Sequence, residues 1–261
     1  MIDLNIANGI AEVVLNAPDR MNALDPDALE GLGTAYDDAA AAASRGQVRA
    51  LLLRGEGRGF CAGRDISGVV PADDDVLGYL GGRVTPLLQK MAAFPAPTFA
   101  AVQGACLGVG LGLAIATDVV YVAEDAKIGS PFANLGATLD SGGHWLFAER
   151  LGTHRTLDLI YTAELISGAD AVASGLFSRA MPADSLLEDT RGIVATVAAG
   201  ATGAFLASKE LVAQIRDRRL GLWESMADEN QAQADLCGTA DYAEGFAAFQ
   251  EKRRPAFRGA F

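Results

Sequence analysis

Cysteine and histidine are both scarce in this chain of 261 residues, which has three of the first and two of the second. An odd, small number of cysteines (Cys61, Cys106 and Cys237) excludes a disulfide framework and is typical of a reducing compartment. His144 and His154 have no spacing with cysteine that matches a zinc site. We therefore expect no metal site and a cytoplasmic protein.

Positive charge is also scarce: the chain has 21 Lys and Arg residues against 33 Asp and Glu residues, which gives a net charge of −12. Such a surface repels nucleic acid and anionic membranes. Apolar runs all end well short of the roughly 20 residues that a membrane span needs, and no basic or apolar leader opens the chain. We expect a soluble protein without nucleic-acid or membrane partners.

The order of apolar patterns predicts an α/β core followed by helices. Asn8-Gly9 between two alternating stretches predicts a hairpin, and Asp25-Pro26 predicts a helix start. Continuous apolar stretches at 48–53 and 98–102 predict strands buried on both faces. Residues 67–85 predict a solvated segment. Strand signals cease near residue 186, so we divide the chain into a core (1–190) and a C-terminal helical lobe (191–261).

Two glycine-rich turns stand out because each follows a buried strand. They read RGFCAGRD (58–65) and GACLGVGLG (104–112). Glycines there let the backbone approach a ligand and leave amide groups pointing outward, and two such amides can converge on one oxygen as an oxyanion hole. Phosphate binding and simple tight packing are the alternatives. Neither turn matches a nucleotide-phosphate motif, which disfavours nucleotides.

Four segments resemble the crotonase (enoyl-CoA hydratase/isomerase) family, in the family's order and over nearly the whole chain. They are LNAP with MNALD (15–25), FCAGRDI (60–66), PTFAAVQG onward (97–118) and FQEKRRPAF (249–257). The resemblance implies the α/β crotonase (ClpP/crotonase-like) fold of repeated ββα units, with a C-terminal helical lobe that mediates assembly into a homotrimer or hexamer. It implies an acyl-CoA substrate and no separate cofactor.

The same resemblance carries roles over residue by residue. It implies that the backbone amides of Arg64 and Val109 form an oxyanion hole for the thioester oxygen. It implies CoA contacts at Met21, Ala23, Ala62, Asp65 and Ile66, and at Lys252 beside Arg253 in the last segment. Arg20 is a further candidate for a phosphate contact, although an arginine is as readily a solvated surface charge.

Two positions depart from the family's hydratases. Their two glutamates fall here on Gly112 and Phe132, and neither residue can move a proton. Hydration of an enoyl thioester uses one group to activate water and another to protonate carbon. Ordinary hydratase chemistry is therefore disfavoured.

One carboxylate remains, that of Asp140, in the string DSGGHWL (140–146). This string resembles that of the ring-epoxide isomerase of the phenylacetate pathway. It implies an isomerase in which Asp140 takes a proton from one carbon and returns it to another. The acyl pocket would be lined by Phe132, Trp145, Gly112 and His144. Burial beside Phe132 and Trp145 should raise the pKa of Asp140.

Three alternatives stay open for this site. Asp140 precedes a helical run and could instead cap its N-terminus. The protein could be a hydratase that uses a relocated carboxylate or a bound water. It could also bind acyl-CoA without catalysis, as the loss of both glutamates allows.

Overall fold

The computed structural model describes residues 1–259, which form two sheets and surrounding helices. The larger sheet has the order β1-β2-β3-β4-β6-β9 and the smaller one β5-β7-β8. The strands are β1 (Ile2–Ala7), β2 (Ile10–Leu15), β3 (Ala50–Gly55), β4 (Thr98–Val102), β5 (Ala105–Leu107), β6 (Val119–Ala123), β7 (Lys127–Gly129), β8 (Ile166–Ser167) and β9 (Arg179–Met181).

Helices pack around these sheets and provide all the regular secondary structure after β9 in the described chain. They are α1 (Pro26–Ser44), α2 (Val76–Tyr79), α3 (Thr85–Ala92), α4 (Val109–Ile115), α5 (Gly143–Thr162), α6 (Gly168–Ala173), α7 (Leu186–Ala198), α8 (Thr202–Arg218), α9 (Leu222–Leu236) and α10 (Ala240–Glu251). Gly152, at φ 72° and ψ 170°, breaks the helical geometry inside α5.

The N-terminal hairpin forms as predicted. Ala7 pairs with Ile10, and the two residues between them have φ of 53° at Asn8 and 78° at Gly9. This left-handed pair gives the backbone twist that a two-residue hairpin turn requires. The predicted start of α1 is also confirmed, because the Asp25 side chain accepts a hydrogen bond from the amide of Ala28.

The parallel strands in the middle of the large sheet carry the core. All five residues of β4 are buried, as their continuous apolar sequence predicts. Strand β3 begins at Ala50, two residues later than predicted, although Val48 is itself buried. The apolar pattern indicates which residues are buried, and Val48 is already buried two residues before the first residue of β3 that pairs with a neighbouring strand.

The small sheet was not predicted in full. β5 lies between glycines of the second glycine-rich turn, and β8 has only two residues. Such short strands leave no alternating pattern to detect. β5 pairs parallel with β7, and Cys106 of β5 also pairs with Cys61 of the first glycine-rich turn.

Residues 67–84 contain more helical structure than the sequence predicts. They hold a 3₁₀ turn (Pro71–Asp73), helix α2 and a π-helical turn (Leu80–Val84) that leads directly into α3. Only Tyr79 and Val84 are buried in this segment. The segment is therefore a mostly solvated cover with two apolar anchors.

The C-terminal region is helical, as predicted. Helix α7 packs on β3, β4 and β6 and runs across the predicted boundary between residues 190 and 191. Helices α8, α9 and α10 follow. Within residues 1–259 no single helix is long and apolar enough to cross a membrane, whereas α7 and α8, bent by 106°, pass that test as a pair.

Candidate active site

The two glycine-rich turns are held side by side by a short parallel pairing of Cys61 with Cys106. The amide of Cys61 donates to the carbonyl of Ala105 at 2.9 Å, and the amide of Leu107 donates to the carbonyl of Cys61 at 3.0 Å. Backbone hydrogen bonds thus join the end of β3 to the start of α4.

Two side chains that the sequence analysis did not single out organise these turns. The buried amide of Asn22 donates to the carbonyls of Gly59 and Phe60 at 2.8 and 3.1 Å. The amide of Gln103 donates to the carbonyl of Gly55 at 2.8 Å. A fully buried Asn within a loop is a signal for such a role, because its polar atoms need partners.

The amides of Arg64 and Val109 lie next to each other at the junction. Among the described residues, neither donates a backbone hydrogen bond. A Cβ built on Gly63, the residue before Arg64, would lie 3.6 Å from the nitrogen of Val109 and 2.8 Å from the oxygen of Leu107. Only glycine, here at φ 94°, allows this approach. The two amides are therefore close neighbours that are available to an external acceptor.

Asp140 lies in the loop that covers the first turn of α4. Its Oδ1 atom is buried and has no hydrogen-bond partner within residues 1–259. Burial raises the pKa of Asp140, while the Ser141 hydroxyl and the charges of Arg64 and His144 oppose that rise. The hydroxyl lies near the carboxylate but falls short of hydrogen-bond geometry, since Ser141 Oγ is also unpartnered.

The capping alternative for Asp140 is wrong. The N-cap of α5 is Gly142 at φ 89°, and no side chain caps this helix. The amide of Gly143 does donate to Asp140, but to its backbone carbonyl, at 3.0 Å. The carboxyl group of Asp140 is thus not committed to the helix start.

Gly112 packs directly against the Asp140 loop and does not line open pocket space, which corrects its predicted role. A Cβ built there would meet Cβ of Ser141 at 2.6 Å and the carbonyl oxygen of Ser141 at 2.9 Å. The loop therefore occupies the space into which any side chain at residue 112 would point.

This contact predicts a stability effect. We expect Gly112→Ala to lower the free energy of unfolding by about 1–3 kcal/mol, because the added methyl overpacks a buried contact. Urea unfolding measures it. Gly192→Ala is the matched control, since nothing lies within 4 Å of its Cβ position in α7, and it should stabilise slightly. If the two substitutions changed the free energy of unfolding equally, the proposed contact between residue 112 and Ser141 would be wrong.

The other predicted pocket residues separate into two groups. The ring of Phe132 lies over Gly108, where a Cβ would come within 2.9 Å of it, so Phe132 borders the Val109 amide. His144 is exposed and shares a 3.3 Å hydrogen bond with the Thr138 hydroxyl, on the same loop as Asp140. These two residues are close to the amides and the carboxylate.

Trp145 lies elsewhere, which corrects the expectation that it shields Asp140. Its ring packs under Arg216 of α8, with 5.6 Å from the guanidinium carbon to the ring centroid. It lines a groove with Asp118 and Arg150 that neither Arg64 nor Val109 borders. His144 and Trp145 are consecutive residues of α5, but His144 lies near Asp140 whereas Trp145 faces α8.

The predicted CoA contacts of the first two segments come together along one edge. The amide of Ala62 donates to the carbonyl of Met21 at 2.9 Å, and the amide of Asp65 donates to the carbonyl of Leu24 at 2.9 Å. Ala23 lies between these pairings, and Ile66, next to them, is 52% exposed. Arg20 forms ion pairs with Asp25 (2.7 Å) and Asp65 (3.1 Å), so two carboxylates already hold it.

Lys252 does not join this edge within its own chain, and its contact with CoA stays a prediction. It ends α10, and the tail after it reaches Arg49, whose guanidinium donates to the carbonyl of Phe257 at 3.1 Å. Arg49 precedes β3, whereas the Cys61 turn follows it. Lys252 therefore belongs to a tail held at the opposite end of β3 from the Arg64 and Val109 amides of its own chain.

The thiols on the two turns are packing groups. Burial raises the pKa of Cys61 to about 12 and that of Cys106 well above the value of a free thiol. A thiol that stays protonated is a poor nucleophile. Both cysteines, which are fully buried, therefore serve as small apolar fillers.

The raised pKa of Asp140 predicts a pH-dependent stability. The folded chain holds this proton more tightly than the unfolded chain, where the pKa lies near 3.8. Asp140 therefore has no effect below the unfolded value, begins to lower the stability as the pH rises through that value, and lowers it fully above its folded pKa. We expect Asp140→Asn to resist urea better than wild type at about pH 7 and the difference to shrink on acidification. A less stable variant at neutral pH would contradict the unpartnered state of Oδ1.

Comparisons with known proteins all point to one family, and each match covers nearly the whole chain. A family model described as "Enoyl-CoA hydratase/isomerase" matches residues 5–260. A Rhodobacter capsulatus protein named "Probable enoyl-CoA hydratase" is 34% identical over 258 residues, which cover 99% of this chain and 98% of that one. The Homo sapiens "Enoyl-CoA hydratase domain-containing protein 2, mitochondrial" is 34% identical over 260 residues, covering 96% and 86%. The crystal structure of an enoyl-CoA hydratase from Bacillus anthracis superposes with a TM-score of 0.89 at 28% identity, over 99% of each chain.

Proposed function

This chain belongs to the enoyl-CoA hydratase/isomerase family, and we propose that within it the protein is an isomerase in which Asp140 moves the proton. The structural likeness confirms the predicted crotonase fold. Family membership supports an acyl-CoA thioester as substrate. The choice of isomerisation over hydration depends on the residues around the two free amides.

The amides of Arg64 and Val109 supply the electrophilic half of the reaction. Negative charge grows on a thioester oxygen as a proton leaves the acyl chain, and two amide donors aimed at that oxygen offset the charge. A single donor of this kind is worth about 3 kcal/mol in a water-excluded site. The amides need no rearrangement, because the Cys61–Cys106 pairing already fixes both turns.

Asp140 supplies the proton-transfer half. Its carboxylate lies on the loop packed over α4, and its buried Oδ1 has no partner among residues 1–259. Because burial raises its pKa, the group is a stronger base than an ordinary aspartate and can also return the proton. One carboxylate that accepts and redelivers a proton is sufficient for isomerisation.

A single observation carries the preference for isomerisation. The two positions that carry the hydratase glutamates are Gly112 and Phe132 in this chain, and neither residue has a carboxylate. Asp140 is thus left without the second acidic group that would complete the pair for addition of water.

The test is a comparison of two substrates at equal concentration. We expect 3-enoyl-CoA thioesters to gain the absorbance of a conjugated thioester, while crotonyl-CoA keeps it. Ring-bearing epoxy and enoyl thioesters belong in the panel because residues 140–146 resemble the ring-epoxide isomerase. Rapid loss of the crotonyl-CoA absorbance with no isomerisation of any thioester would contradict the proposal.

The second candidate is a hydratase in which Asp140 acts with a bound water. The names of the relatives favour it, since those of the R. capsulatus and B. anthracis proteins specify hydratases. Hydration of crotonyl-CoA that is lost in Asp140→Asn would establish this alternative. Tight acyl-CoA binding with no turnover of any thioester would instead indicate a non-catalytic binding protein.

We also propose that the chain assembles into a trimer or hexamer through its helical lobe. Large apolar side chains are exposed on three successive helices: Val212 (64%), Trp223 (77%) and Phe249 (84%). Exposed apolar surface of this kind typically marks an interface. Light scattering after gel filtration should give three or six times the mass of the chain, and a monomer would contradict the proposal.

A further inference from the structure

The side chain of Arg64 is held by several contacts, although only the backbone amide of this residue is needed for the proposed oxyanion hole. Its Nη1 and Nη2 atoms donate to the two carboxylate oxygens of Asp74 at 2.8 and 2.6 Å. Its guanidinium carbon lies 4.1 Å from the centroid of the Tyr79 ring. A two-pronged ion pair and a stacked aromatic ring together hold both the position and the plane of a guanidinium.

The loop that carries Asp140 packs on Gly112, one turn of α4 after Val109, whose amide lies next to that of Arg64, and the charge of Arg64 acts on the Asp140 carboxylate. The groups that act on the Asp140 carboxylate are Arg64 from the first turn, His144 from α5 and the hydroxyl of Ser141 beside it. Tyr79 lies in the same cluster and is neutral, since burial raises its pKa to about 12 even though the charge of Arg64 opposes the shift. Arg64 is thus the one permanent cation among these groups.

The partners of Arg64 both come from the cover segment 67–84. Tyr79 is 6% exposed and its hydroxyl donates a long 3.4 Å hydrogen bond to the carbonyl of Leu24. Asp74 makes no other salt bridge among the described residues. Together with the buried side chain of Val84, these contacts hold the segment in place.

We propose that Arg64 is a positioning residue with two functions, in addition to its amide: its guanidinium fastens the cover segment 67–84 over the acyl site, and its charge keeps Asp140 ready to accept a proton. The proposal rests on the proposed function for the second role only. The first role is a property of the fold and can be measured without substrate.

Hydrogen exchange tests the fastening role. In Asp74→Asn we expect the amides of residues 67–84 to exchange about tenfold faster or more, because a charge-assisted ion pair has been lost. Asp73→Asn is the matched control, since Asp73 is an exposed neighbour without a salt bridge in the described chain, and it should exchange like wild type. Equal exchange in both variants would overturn this role.

The pH profile of turnover tests the electrostatic role. In Arg64→Gln the acidic limb of the kcat profile should move to higher pH, since loss of the cation makes the Asp140 carboxylate harder to ionise. Arg64→Lys keeps a cation and should keep the limb near its wild-type position. An unchanged limb in Arg64→Gln overturns the role, and a limb that shifts equally in both variants overturns it too.

The two failures are distinguishable from failure of the proposed function. If no acyl-CoA thioester turns over in wild type, the proposed function fails while hydrogen exchange still decides the fastening role. If Asp140→Asn is inactive but Arg64→Gln keeps the wild-type limb, the function stands and the electrostatic role is wrong. A thermal melt of each variant confirms that the compared proteins are folded.

Discussion

Asp140→Asn is expected to lower kcat by about 10²–10⁴, the range that a positioned acid or base contributes. The amide cannot accept the substrate proton, yet it is similar in size to the carboxylate and leaves the Arg64 and Val109 amides in place. We therefore expect the affinity for a saturated acyl-CoA to change little. Stopped-flow turnover and calorimetric titration measure the two quantities separately.

Asp125→Asn is the control for the Asp140 change. Asp125 is an exposed aspartate in the turn between β6 and β7, so its replacement removes the same charge outside the loop that carries Asp140. Wild-type kcat in Asp125→Asn together with loss in Asp140→Asn would locate the effect at the site. If Asp140→Asn turns over at the wild-type rate, another group is the base.

Val109→Pro is expected to lower kcat by about 10²–10³, because it deletes one oxyanion donor without deleting a side chain that performs chemistry. Val109 is the first residue of α4, and proline is well tolerated at this helical position because its missing N–H has no partner within the helix. Gly108 before it, at φ 53° and ψ −121°, is outside the helical region that a following proline disfavours. The fold should therefore survive the substitution.

Val109→Ala separates the amide from the side chain. It keeps the N–H and removes two buried methyl groups from a residue that is 1% exposed. We expect it to lower the stability, as other truncations in a core do, while kcat stays within about threefold of wild type. If Val109→Pro also stays within that range while remaining folded, the amide of residue 109 does not stabilise the transition state.

Much of the fold follows from local sequence signals. The Asn8-Gly9 turn, the Asp25 cap and the buried strand at 98–102 each depend on a few adjacent residues with a single favourable structure. The approach of the two glycine-rich turns was also predictable in outline, because glycines after buried strands mark places where backbones approach. The neighbouring positions of Arg64 and Val109 then follow from the pairing of β5 with the first turn.

Side-chain direction could not be predicted in the same way. His144 and Trp145 are adjacent in sequence, but the helix sends one toward Thr138 and the other under Arg216. The pairing of Arg64 with Asp74 and Tyr79 depends on how segment 67–84 folds, and its acidic run indicated only solvation. Lys252 shows the same limit, since the sequence does not reveal which end of the sheet a terminal tail reaches.

The contact between residue 112 and the 140–143 loop has a consequence for redesign. A glutamate introduced at position 112 would project into Ser141, so the loop that carries Asp140 would have to move first. The two catalytic layouts compete for one volume, and a single substitution cannot convert this chain from one to the other. Conversion requires that the whole 140–143 loop be exchanged together with residue 112. Variants that change only one of the two should fold poorly and should not gain hydratase activity.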